Sequence, residues 1–319
     1  MRILAFVHLY LPETRGGAEV MLHSILTELV SRGHEVWVGA TKARDKGHVE
    51  IVDGVHVVSG FPAEELLELG WDRVLSHLTE ASRVTTWARS KGIHSTQMVH
   101  SDHSWIRLSL ATKPDLVVYN TEWLSRSMSP FFKGPSLVLH PPVFPERFRT
   151  EPGDMVTLVN PLPEKGAEIF YGLADRLPDQ DFLVVEGGYE RERQVYIEKP
   201  NVMFQPNTKD MKNRVYRKTR VLLMPSSYES YGMTAVEACV SGIPVVASPT
   251  PGLVESLHTA GFHVDLEDRE EWYRIVKELL TSEDAWKEAS DRAIERAARL
   301  SSREELDRCV EAIERGDDG

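Results

Sequence analysis

Short apolar runs alternate with amphipathic stretches along the chain. Arg2 to His8 is a continuous apolar run that ends in a loop containing Pro and Gly, Leu11 to Gly17. Val20, Leu22, Ile25, Leu26 and Leu29 then recur at helical spacing and stop at Gly33, so strand, loop and helix follow one another. Further strands are predicted at Glu35 to Ala40, Ile51 to Val58, Thr96 to His100, Leu116 to Tyr119 and Leu137 to His140, with a long helix from about Trp71 to Ser90. Apolar runs without strict alternation are strands buried on both faces, and their succession with helices implies parallel βαβ units.

Leu139 to Phe148 carries Pro141, Pro142 and Pro145, which can neither donate to a ladder nor continue a helix, so a linker is predicted there. The pattern then restarts. Strands are predicted at Met155 to Val159, Phe182 to Glu186, Val202 to Phe204, Val221 to Pro225 and Pro244 to Ala247. Helices are expected near 166–177, 231–240, 270–280, 286–300 and 303–313. The fold class is therefore α/β, with two doubly wound, Rossmann-like domains whose strands point their carboxyl ends at ligand. An active site in a crevice between the two is the expectation.

The length of 319 residues supports this division, since domains average roughly 150 residues. The expected domains are 1–142 and 143–319, with the last helix open to packing back on the first. Composition adds that hydrophobic residues reach 41% and charged residues 27%, the balance of a folded globular chain. No apolar run approaches the ~20 residues that span a bilayer, and the opening stretch lacks a basic leader, so a cytoplasmic protein is expected. Cys239 and Cys309 alone exclude a disulfide framework or a cysteine-held metal site.

Charge separates the halves. Residues 1–150 hold 16 Lys and Arg against 16 Asp and Glu, the rest 21 against 33, so the net charge of −12 lies entirely in the second part. Such a chain is poorly suited to nonspecific nucleic-acid binding. Lys209 to Arg220 is a local basic exception, better read as a solvated helix face than as an anion site.

The strongest chemical signal runs from Pro225 to Ser248. A strand ends at Pro225, which puts Glu229 in the loop at its carboxyl edge, and the helix that follows turns its first N–H groups toward the crevice. Glu237 lies eight positions after Glu229, about two helical turns, so both carboxylates can address one extended ligand. Glu237 is embedded in the apolar stretch Met233 to Val240, where an unpaired charge is costly, and a ligand partner is expected for it.

Glu229 and Glu237 reproduce the E-x7-E motif, and the surrounding Pro-Ser-x-x-Glu-Ser-Tyr-Gly and Glu-Ala-x-x-x-Gly-Ile-Pro-Val-Val-Ala-Ser text resembles glycosyltransferase family 4, whose members are retaining enzymes with the GT-B fold. Arg2-Ile3-Leu4, Gly16-Gly17-Ala18-Glu19 and Arg32-Gly33-His34-Glu35-Val36 are similar to that family's opening. The resemblance implies a nucleotide diphosphate sugar as donor, with Glu237 on its ribose, Glu229 on a hydroxyl of the transferred sugar, and backbone amides of Ser230, Tyr231, Gly232 and Met233 on sugar and phosphate oxygens. It implies Lys165 on the diphosphate, where charge grows as the glycosidic bond breaks. Gly16 and Gly17 match the family's glycine loop, which admits close approach of ligand. His100, with His103 three residues on, stands where the family has a histidine reaching the donor sugar, and Gly187 and Gly188 are expected to flank the nucleotide.

One position departs from the pattern. The family pairs that lysine with an arginine five residues earlier, and Asn160 stands there instead, a neutral hydrogen-bonding group. Either another cation such as Lys209 compensates or the donor is held more weakly. Asp179-Gln180-Asp181 spells a D-x-D metal motif but precedes its strand, at the wrong edge of the sheet, so no metal and no cofactor are expected. The sequence thus reads as a retaining glycosyltransferase whose acceptor, a lipid, glycan, metabolite, protein or modified DNA base, is held mainly by the first domain. The alternatives are a noncatalytic sugar-nucleotide binding or scaffold protein and a GT-B phosphorylase or epimerase.

Overall fold

A computed structural model of the chain describes residues 1–14, 16–42, 48–188, 190–300 and 303–316. The chain forms two compact units, divided after Pro142. The first unit is closed by the last helix, α12 (Arg303–Arg315), and the second runs from Val143 to the end of the preceding helix.

In the first unit an eight-stranded sheet is built from β1 (Arg2–Val7), β2 (Glu35–Ala40), β3 (His48–Val52), β4 (Val55–Ser59), β5 (Arg73–His77), β6 (His94–Val99), β7 (Leu116–Tyr119) and β8 (Ser136–Val138). Its order is β3-β4-β2-β1-β5-β6-β7-β8, parallel except for the β3–β4 pair. The helices are α1 (Gly17–Ser31), α2 (Ala81–Lys91), α3 (Ser104–Leu110) and α4 (Glu122–Met128). Ile3 through Val7 are wholly buried, as a strand covered on both faces requires.

Two readings are corrected here. The predicted helix at 71–90 is a strand, β5, followed by a 3-10 turn at Leu78–Glu80 and then α2. Trp71, Val74, Leu75 and Leu78 fall at helical spacing, yet β5 lies between β1 and β6 and is buried on both faces, so its apolar run carries no period of its own. The predicted strand at 51–58 is a hairpin. Asp53 (φ +49°) and Gly54 (φ +84°) both adopt the left-handed conformation of a two-residue turn, which pairs Val52 with Val55.

In the second unit the chain runs through α5 (Pro145–Phe148), β9 (Met155–Val159), α6 (Ala167–Arg176), β10 (Phe182–Val185), β11 (Val202–Gln205), α7 (Met211–Arg214), β12 (Thr219–Met224), α8 (Met233–Val240), β13 (Val245–Ala247), α9 (Pro251–Leu257), β14 (Gly261–His263), α10 (Arg269–Thr281) and α11 (Glu283–Leu300). The sheet is wholly parallel, ordered β11-β10-β9-β12-β13-β14. One side of its core gathers Phe170 of α6, Phe182 of β10 and Trp272 of α10, all fully buried, with the two phenylalanine rings edge to face at 5.4 Å. β14 and α9 escaped the sequence reading because they are short and begin at Gly and Pro, residues that read as loop. No helix among the described residues is long and apolar enough to cross a membrane.

The helix α12 is tied down within the first unit by charge as well as by buried Leu306, Cys309, Val310 and Ile313. Arg32 meets Asp307 at 2.8 Å and Glu314 at 3.1 Å, His34 meets Glu314 at 2.6 Å, and His140 meets Glu305 at 3.0 Å. Arg73 donates to the carbonyls of Ile313, Glu314 and Arg315, the open end of the helix.

Candidate functional site

A doubly wound sheet opens a crevice where its strand order reverses. In the second unit that point lies between β9 and β12, which are adjacent while β10 and β13 lie on opposite sides. Asn160 and Lys165 follow β9, and Ser226 and Glu229 follow β12, so topology delivers these four to one place.

Local backbone then brings them together. Asn160 takes φ +63°, a left-handed conformation that asparagine tolerates, and turns the chain away from β9. A 3-10 turn at Pro163–Lys165 ends at Gly166, φ +81°, where a Cβ would stand 2.3 to 2.6 Å from Pro225. Only glycine allows the two loops this approach. The Ser227 amide donates to the Glu164 carbonyl at 2.9 Å and locks them. As a result Lys165 Nζ meets Glu229 Oε1 at 2.5 Å, and the Ser226 hydroxyl donates to the same oxygen at 3.1 Å. Both side chains remain partly accessible, 25% and 16%, and Oε2 of Glu229 has no partner among the described residues.

Glu237, on α8, is partly buried, and the Tyr216 hydroxyl donates to its Oε2 at 2.5 Å. The expectation that only a ligand could partner this carboxylate is thereby corrected. Tyr216, wholly buried just before β12, already does so, while Oε1 has no partner among the described residues. Burial pushes the Glu237 carboxyl up to about 7 against the opposing effect of the tyrosine hydrogen bond. The helix itself starts at Met233, two residues later than expected, because Gly232 adopts φ +86° as its cap. Ser230 and Tyr231 precede it, and Gly252 of α9 packs so closely on them that a Cβ would fall 2.3 Å from the Ser230 carbonyl carbon.

The remaining expected residues fall out as follows. Asn160 Oδ1 is buried without a partner against Gly187, whose Cβ would stand 2.3 Å from it, so Gly187 is glycine for the sake of Asn160. Gly188 is exposed, as is Lys209. The arginine beside the Lys165 loop is Arg193, which joins Glu164 at 3.0 Å and Glu190 at 2.7 Å and which sequence reasoning missed. Asp179 and Asp181 stand in the turn before β10, at the end of the sheet opposite Lys165.

In the first unit, Gly16 caps α1 and its amide donates to Glu19 Oε2 at 3.1 Å. Its φ of −92° is open to any residue, so backbone conformation is not why glycine stands there. Gly17 is the first, exposed residue of the helix. The loop after β1 is moored by Tyr10, whose hydroxyl bonds His23 Nδ1 at 2.7 Å while His23 Nε2 bonds Asp53 at 2.9 Å. His100 follows β6 and pairs with His77, the last residue of β5, at 3.2 Å. His103 caps α3. His77, Tyr216 and Arg193 carried no local motif, and each becomes visible only through a partner distant in sequence, whereas Ser226 stands inside the Pro-Ser-x-x-Glu text and its bond to Glu229 spans three residues.

Residues 144–300 match the family described as glycosyl transferases group 1. A D-inositol 3-phosphate glycosyltransferase of Corynebacterium kroppenstedtii is 36% identical over 89 residues, 27% of this chain and 20% of that protein. The counterpart in Mycobacteroides abscessus is 30% identical over 152 residues, 44% of this chain and 34% of that protein. The chain thus matches about a third or less of the length of these two relatives. Two solved structures share the fold along 99% of this chain. Sucrose-phosphate synthase from Thermosynechococcus elongatus has a TM-score of 0.79 at 17% identity over 98% of its own chain, and Anabaena HepE in complex with UDP-glucose has 0.80 at 16% over all of its chain. The two-sheet α/β fold is that of GT-B glycosyltransferases, and residues 144–300 resemble the glycosyl transferases group 1 family.

Proposed function

We propose that the protein is a retaining glycosyltransferase that moves a sugar from a nucleotide diphosphate donor, a UDP-sugar in the first instance, to a hydroxyl acceptor. The observation that carries this reading is the Lys165–Glu229–Ser226 cluster at the reversal point of the second sheet, inside the family-matched region. UDP-glucose in the similarly folded Anabaena protein supports the donor class.

In this reading Lys165 leaves its pair with Glu229 to meet the donor diphosphate and stabilises the charge that builds as the sugar departs. Glu229 then accepts from a sugar hydroxyl through the oxygen it keeps free. Glu237 receives the ribose hydroxyls, Asn160 contributes a neutral hydrogen bond where the family has an arginine, and the amides of Ser230 to Met233 take sugar and phosphate oxygens. Gly16, Gly17 and His100 are the first unit's own candidates for a substrate contact. Glu229, occupied with a hydroxyl, is not a nucleophile, so attack and departure share one face and the leaving diphosphate takes the acceptor's proton. That route retains configuration and needs no cofactor. The acceptor is a lipid, glycan, metabolite, protein or modified DNA base.

A mixture of UDP-sugars screened by thermal shift identifies the donor, because a ligand bound only by the folded state raises its stability. Hydrolysis of that donor, followed by transfer to candidate acceptors, then tests catalysis. An α-linked product from an α-linked donor, read from the anomeric proton coupling, is expected, and a β-linked product overturns the mechanism. Binding without hydrolysis or transfer to any acceptor favours a noncatalytic sugar-nucleotide binder, the reading that Asn160 in place of arginine supports.

A further inference from the structure

The first sheet reverses its strand order between β1 and β5, and β5 ends on His77. The ring of His77 is only 1% exposed, and its Nδ1 faces Nε2 of His100 at 3.2 Å, the two rings meeting edge to face at 75°. His100 lies nearer the surface, 9% exposed, and its Nδ1 has no partner among the described residues.

We propose that His77 is a positioning residue that holds His100 in one tautomer and one orientation, so that Nδ1 of His100 and the hydroxyl of Ser101 meet an uncharged substrate hydroxyl. This inference rests on His100 serving in transfer. Four observations support it. Two facing imidazole nitrogens bond only if one carries a proton and the other a lone pair, so fixing one ring fixes the other. Burial drives both rings toward the neutral form, His77 well below its ordinary value and His100 to about 4, so a single proton lies between them at neutral pH. Leu78, directly after His77, adopts φ +50°, a strained conformation for a bulky residue, as it turns the chain off β5. Finally, the Ser101 hydroxyl, next to His100 in sequence, is buried with no partner, a group whose desolvation is offset only when something bonds to it. An imidazole nitrogen and a hydroxyl, both uncharged here, suit an alcohol group, on the donor sugar or on the acceptor.

Nitrogen-15 spectra of the histidine rings in the labelled full chain test this directly. The expected result is one protonated and one bare nitrogen on His100, with a through-bond coupling between His77 Nδ1 and His100 Nε2. Averaged tautomers or no coupling overturn the proposal without any mutation. His77→Phe is expected to average the His100 tautomers and to slow UDP-glucose hydrolysis at least about tenfold with little change in KM. His77→Asn, which carries an amide atom near the position of Nδ1, is expected to recover most of both. Equal losses in the two folded variants overturn the positioning role. A His100 signal that shifts with UDP-glucose but not with UDP assigns the hydroxyl to the donor sugar, and one that shifts with neither assigns it to the acceptor. A fixed tautomer together with full turnover in His100→Ala removes His100 from the reaction while leaving its pairing with His77 intact.

Discussion

Glu237 shows how a single side chain can set function against stability. Its carboxyl titrates near 7 when folded, against an ordinary value of 4.5. A raised acid binds more protons in the folded state, so its cost to the fold is absent below pH 4.5, grows between 4.5 and 7, and levels at roughly 3 kcal/mol above. Glu237→Gln is therefore expected to stabilise the ligand-free protein at pH 8 and to lose that advantage toward pH 5, as thermal melts across pH will show. The same substitution is expected to weaken UDP binding by about 1.5 to 3 kcal/mol, since a charged acceptor is lost. In the wild type the ionised form is the better acceptor, so UDP affinity should rise with pH through 7. A pH-independent affinity measured by calorimetry sinks the ribose assignment. Lys165→Met is expected to lower turnover about a hundredfold or more while affecting UDP affinity less; equal losses in both indicate simple anchoring. The sequence exposed Glu229, Glu237 and Lys165 because they sit in dense local motifs. It hid that Lys165 and Glu229 hold each other, and that Tyr216 serves Glu237, because those pairs close only when separate loops fold together.

At the scale of elements, the parallel strands β1, β2, β7 and β9 were legible as uninterrupted apolar runs, whereas β5 was read as helix because Trp71, Val74, Leu75 and Leu78, in and beside it, happen to fall at helical spacing. The Asp53-Gly54 turn was the one local signal able to split the 51–58 run, and it does so by supplying two left-handed residues. Phe170→Ala is expected to cost about 3 to 5 kcal/mol, because α6 loses the ring that abuts Phe182, with denaturant melts as the check. The acidic loop 179–181 lies at the end of its sheet remote from Lys165, so transfer is expected to survive a strong chelator. Activity lost to chelation and restored by magnesium would place a metal where no role has been assigned.

At the scale of the molecule, each unit owns a core and a sheet, but only the second is made from one continuous stretch of chain. Residues 143–300 expressed alone are expected to melt cooperatively and to bind UDP, whereas 1–142 without α12 is expected to melt at lower temperature or fail to fold. Arg73→Ala, which frees three carbonyls at the end of α12, should speed amide exchange in that helix by a factor corresponding to about 1 to 3 kcal/mol and leave exchange in the second unit unchanged.

The route of α12 also has a consequence for biosynthesis. A nascent chain usually completes its domains in the order in which they leave the ribosome. Here the first unit must wait, with the seat of α12 exposed on α1 and around Arg73 and His140, while the whole second unit is translated. The second unit is then the first to be finished. The period of greatest exposure to misassembly belongs to the amino-terminal sheet, and codon changes that slow translation of 143–300 should lengthen it.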